Sequence, residues 1–140
     1  MINLVNLNRQ HTRIKNEVEL LENEIKKGVN LMNPGELALH INFLAGQLKI
    51  HLLEEDEFLY PDLLKSEDGD VKNMANSYIS EMGNLMEEYT EFKKKYNIGL
   101  KISADKEKFL EEIQKILEAL KARIMKEDHG LYALIQKRSL

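Results

Sequence analysis

His51-Leu52-Leu53-Glu54-Glu55-Asp56-Glu57-Phe58-Leu59-Tyr60 is answered seventy-two residues later by Arg123-Ile124-Met125-Lys126-Glu127-Asp128-His129-Gly130-Leu131-Tyr132. Glu55/Glu127, Asp56/Asp128, Leu59/Leu131 and Tyr60/Tyr132 are identical, and the apolar pairs Leu52/Ile124 and Leu53/Met125 are conservative. An internal repeat constrains architecture before any single residue does, so the chain reads as two similar halves. The halves differ in one telling place. The first carries His-x-x-x-Glu where the second carries Arg-x-x-x-Glu.

The rest of the chain is consistent with helices around this pair. Its 140 residues suffice for one domain spanning 1–140 with a proper core. Two prolines and seven glycines leave long stretches without a helix breaker, which favours an all-α fold. Cysteine is absent, so disulfides, thiolate zinc sites, iron–sulfur clusters and covalently attached haem are excluded. A net charge of −4 with acids and bases interspersed shows neither a nucleic-acid footprint nor a polybasic membrane surface. The N-terminal residues resemble no signal peptide, and no apolar run approaches transmembrane length. A soluble cytoplasmic protein is the expectation.

Apolar spacing predicts helices over 4–27, 34–64, 70–95 and 104–137, with no strand. The first seam runs Leu4, Leu7, His11, Ile14, Val18, Leu21, Ile25. The second runs Leu37, His40, Leu44, Leu48, His51, Glu55, Phe58, behind an Asn33 cap and Pro34. The third carries Val71, Met74, Tyr78, Met82, Leu85, Tyr89 and Phe92. The fourth carries Phe109, Ile113, Ile116, Leu120, Arg123, Glu127, and Leu131 or Leu134. Short connections predict an up-down-up-down antiparallel four-helix bundle.

Three of these seams are spoiled. His11, His51, Glu55, Arg123 and Glu127 occupy stripe positions that should be apolar, where an unpaired charge costs several kcal/mol. Counted from the helix ends, His11, Met82, Glu55 and Glu127 all fall roughly 12–18 Å from one end of the bundle. Polar side chains from facing helices at one level are how bundle metal sites are built. His40 lies about 16 Å up the helix from His51 and reads as structural or rim. His129, two residues from Glu127, points elsewhere, and Glu54, Asp56 and Glu57 read as a solvated face. Lys93-Lys94-Lys95 is a helix C-terminus favoured by the dipole.

At these residues the chain resembles the hemerythrin-like, or HHE cation-binding, domain family. That family is marked by a His on helix one, His-x-x-x-Glu on helix two, a His on helix three and a second His-x-x-x-Glu on helix four. Gln10-His11-Thr12-Arg13-Ile14 and His51 to Pro61 match the first two elements. Arg123-Ile124-Met125-Lys126-Glu127-Asp128 keeps the fourth but places Arg where the family has His, and Met82 stands where it has the third-helix His. The resemblance implies a hemerythrin-like four-helix bundle holding non-haem iron, with a small diatomic ligand such as oxygen or nitric oxide as partner and a role in sensing or handling them.

The donor chemistry narrows this. His11, His51, Glu55 and Glu127 supply two nitrogens and two carboxylates, enough for one ion and short of a di-iron set. Met82 is a soft thioether, and Arg123 has no lone pair to donate. The sequence leaves a single-ion site and a metal-free bundle, serving as an interaction or structural module, as alternatives. A b-type haem held by His and Met82 is a weaker third. No Ser-His-Asp arrangement, phosphate loop or cofactor fingerprint points to an enzyme.

Overall fold

The computed structural model describes residues 2–140, which form an all-α bundle with no strand among them. Four long helices supply its body: α1 (Val5–Ile25), α2 (Pro34–Phe58), α4 (Gly69–Tyr96) and α6 (Lys106–Lys126). Three short helices interrupt the simpler pattern expected from the sequence: α3 (Tyr60–Leu64), α5 (Gly99–Ser103) and α7 (Tyr132–Lys137).

The boundaries have local causes. Asn33 caps α2 by accepting from the Glu36 N–H at 3.2 Å, with Pro34 in the first turn. Asp68 and Asp105 do the same for α4 and α6. Gly28, at φ +90°, takes the left-handed conformation that the turn after α1 requires. The second predicted helix breaks at Leu59 instead of running to 64, and Pro61 sits in the first turn of α3. The fourth does not start at 104: its cap is Asp105, behind the separate α5. Nor is it uniform, because Glu127–Leu131 forms a π-helical turn between α6 and α7. Both copies of the repeat therefore depart from α geometry just at or after their glutamate.

The long helices pack α1 on α2, α2 on α4, α4 on α6 and α6 on α1. Cross-helix pairs run in opposite order along neighbours. His40 meets Glu17 while His51 meets Gln10, and Lys121 meets Glu22 while Lys15 meets Asp128.

The core is split in two. One apolar cluster includes Ile14, Leu48, Met82, Leu120 and Ile124. The other includes Leu7, Leu59, Tyr78 and Leu131. His11, His51, Glu55, Arg123 and Glu127 lie between them along their helices, and all five are buried. A polar layer thus sits inside an otherwise apolar interior, where burial of each group must be offset by partners. The outward side of α2 is also apolar at Leu39, Phe43, Ile50 and Leu53, all exposed. Phe58, expected on the inner seam, is 63% exposed, because the helix ends there and Leu59 turns in instead.

Candidate metal centre

His11 enters the layer from α1, His51 and Glu55 from successive turns of α2, and Glu127 from the end of α6. Residues four apart share a helix face, which is why His51 and Glu55 arrive together. The two imidazole Nε2 atoms lie 3.0 Å apart, and Glu127 Oε1 lies 2.9 Å from that of His11 and 3.2 Å from that of His51. These three ligand-capable atoms form a nearly equilateral triangle. Glu55 Oε1 lies 3.4 Å from His51 Nε2 and is a buried acceptor without a hydrogen-bond partner.

Each imidazole is held from behind. His11 Nδ1 lies 2.7 Å from Asp128 Oδ1, and His51 Nδ1 lies 2.8 Å from Gln10 Oε1. A neutral ring that donates through Nδ1 leaves Nε2 a bare lone pair, and in that tautomer both lone pairs aim into the triangle. Tyr132 stacks on His11 at 5.0 Å and donates its hydroxyl to Glu55 Oε2 at 3.1 Å.

Arg123 takes the other side of Glu127. Its Nε donates to Glu127 Oε2 at 3.2 Å, and its Nη2 donates to the Tyr78 carbonyl at 2.9 Å and to the Tyr60 hydroxyl at 3.2 Å. The guanidinium also covers the Tyr78 ring, 4.6 Å from its centroid. One carboxylate is therefore divided: Oε1 to the imidazoles, Oε2 to a permanent cation.

The two glutamates part company electrostatically. Burial pushes the Glu55 carboxyl well above the usual carboxylate range; the charge and hydrogen bond of Glu127 add to this, against Arg123 and Tyr132. Burial also opposes charge on Glu127, but hydrogen bonds from His11 and His51 and the charges of His51 and Arg123 outweigh it and hold that carboxyl below the usual range. Asp128 is likewise held low: burial is outweighed by hydrogen bonds from Lys15 and His11. The layer favours one ionised glutamate beside one that resists ionisation.

His11, His51, Glu55, Arg123 and Glu127, singled out in the sequence, meet in this layer. Met82 is buried in the larger apolar cluster and takes no part in the layer's hydrogen bonds among the described residues. His40 pairs with Glu17 at 2.8 Å, away from the layer, and His129 is exposed. Sequence reasoning missed Asp128, Gln10, Tyr60 and Tyr132. The identities Asp56/Asp128 and Tyr60/Tyr132 in the repeat were the available signal. A surface groove lies elsewhere, along Leu4, Val5, Asn8, Ile135 and Gln136, and is lined by no titratable side chain.

His11, His51 and Glu127 thus form a buried group that could hold a metal ion, inside an all-α bundle. The chain belongs to the hemerythrin HHE cation-binding domain family, which its residues 3–135 match. No curated protein and no solved structure matches it. No helix among the described residues is long and apolar enough to cross a membrane.

Proposed function

We propose that the chain binds one metal cation, iron, through His11 Nε2, His51 Nε2 and Glu127 Oε1, with Glu55 as a fourth donor. The observation that carries this reading is three buried ligand-capable atoms within 2.9–3.2 Å of one another. In the tautomer that commits each ring's hydrogen to Asp128 or Gln10, no donor hydrogen remains among the three. Such convergence is unfavourable unless a cation sits between them.

The residues fit that role. A triangle with edges near 3 Å matches one face of a coordination sphere with metal–ligand bonds of about 2.1 Å. Two imidazoles and a carboxylate form a set suited to iron, manganese or zinc. The unpartnered Glu55 Oε1 adds a donor beside His51. Arg123 limits the count to one, since it occupies Glu127 Oε2 and brings a charge that repels a second cation. Bound iron would supply redox chemistry and open positions for a small ligand, the basis of a sensing or handling role. Tyr132 holds Glu55 while Asp128 and Gln10 orient the rings, and the flanking apolar clusters exclude water.

The test is anaerobic loading with Fe(II), followed by elemental analysis and ultraviolet spectroscopy. One ion per chain, lost in His51→Ala and Glu127→Gln, is expected. Two ions in the parent would defeat the single-ion assignment. A folded chain with no ion would favour the second reading, supported by the Arg123 contacts: a metal-free module in which ion pairs fill the layer.

A further inference from the structure

His11 is gripped at both ring nitrogens by consecutive residues of the other half of the chain, Glu127 at Nε2 and Asp128 at Nδ1. Both belong to the π turn, a geometry that recurs at functional sites. Asp128 is itself anchored: its Oδ2 accepts from Lys15 Nζ at 3.0 Å, and Lys15 sits one turn beyond His11 on the same face of α1. His11, Asp128 and Lys15 thus close a ring of contacts between α1 and the end of α6. Within it Asp128 faces an ammonium with one oxygen, so it serves as acceptor with the other and draws the ring hydrogen to His11 Nδ1, against Glu127 Oε1, which competes for it at Nε2.

His51 gives the comparison. Its Nδ1 meets only the neutral amide oxygen of Gln10. The two rings are therefore oriented by unlike partners, one charged and tied to the surface, one neutral. Lys15 is 54% exposed and Asp128 22%, so the charged support reaches from the buried ring to solvent.

We propose that Asp128, anchored by Lys15, is a positioning residue that fixes His11 in its Nδ1–H form and thereby sets the cation affinity of the buried triad from the protein surface. Its metal consequence rests on the single-ion reading above; the tautomer does not. Outer partners of this kind change metal affinity by about 10–100-fold when removed.

The experiment combines nitrogen NMR of the histidine rings in the metal-free chain with Co(II) titration followed by its visible bands. In the parent, His11 should show a single Nδ1–H form. Asp128→Ala should mix the two forms and weaken Co(II) binding about 10–100-fold, with helicity retained. Asp128→Asn, which keeps an acceptor, should restore the Nδ1–H form and recover most of the affinity. Lys15→Ala, an exposed change that the fold tolerates, should weaken binding several-fold in the same direction. An Asp128→Ala chain with His11 still in one Nδ1–H form, or with parental Co(II) affinity, overturns the proposal, as does a Lys15→Ala chain indistinguishable from the parent. If the parent binds no Co(II), the triad reading fails, and the NMR comparison still decides whether Asp128 fixes the ring.

Discussion

Tyr132 donates its hydroxyl to Glu55 across the bundle at 3.1 Å, so the last residue of the second repeat serves the glutamate of the first. The exchange is reciprocal: Tyr60, which ends the first repeat, accepts from Arg123 at the head of the second. The repeated motif is thus two interlocked copies, each supplying the other's outer support.

This interlock gives a direct test. Tyr132→Phe removes the hydrogen bond to Glu55 Oε2 while Oε1 already lacks one, leaving a buried carboxyl without any donor from protein. The expected loss is about 1–3 kcal/mol of metal-free stability by urea denaturation. A variant as stable as the parent would show that the hydroxyl contributes nothing to holding Glu55.

Arg123→Met should act in opposite directions on fold and ligand. It strips donors from Glu127 Oε2, the Tyr60 hydroxyl and the Tyr78 carbonyl, and breaking such a buried pair costs about 3–5 kcal/mol. It also removes a permanent charge beside the triad, which should raise its affinity for a dication about tenfold or more. Thermal melts with and without Fe(II) separate the two: a lower metal-free midpoint, but a larger upward shift on loading than the parent's. An equal or smaller shift would mean that Arg123 does not oppose the ion.

Acid and base should affect the metal-free chain through different residues. Glu127 and Asp128 are held below their ordinary values in the folded chain, so their contribution is intact at neutral pH and fades as pH falls below about 4.3. Glu55 is raised, so it binds its proton more tightly folded than unfolded, and stability declines as pH climbs above that same ordinary value. Urea midpoints across pH should show a shallower acid limb for Glu127→Gln and a flatter neutral limb for Glu55→Gln. Parallel curves for Glu55→Gln and parent would contradict the assignment.

Gly130 is the fourth probe. A methyl group built there would collide with the Tyr78 hydroxyl, which donates to the Lys126 carbonyl at 2.9 Å. Gly130→Ala must displace the phenol and cost about 1–3 kcal/mol. Tyr78→Phe in the same chain should relieve part of that loss, and a lack of coupling between the two changes would refute the clash.

Much of this arrangement was legible in the sequence because it violates a rule. His11, His51, Glu55, Arg123 and Glu127 spoil seams that are otherwise apolar, and helical spacing alone assigns them to one layer. The cap at Asn33 was equally open, being local chemistry. Asp128 was not, because its neighbour Glu127 already holds the inward position and a regular helix turns the next residue aside; the π turn brings both to His11. The break at Leu59, which leaves Phe58 outside, is a product of tertiary packing that spacing does not encode.

The π turn at Glu127–Leu131 has one more consequence. A turn closed five residues on, instead of four, holds one residue more than the α pattern, and everything after it is rotated by about 100° relative to a straight continuation. The chain therefore carries two phases along a single rod, with Arg123 and Glu127 set by one and Tyr132 and Ile135 by the other. Length becomes a coded quantity at this point, like the frame of a text. Removing Gly130 would change no ligand, yet it would swing Tyr132 off Glu55 and Ile135 out of its apolar cluster together, a fault that substitutions along the same stretch would not reproduce.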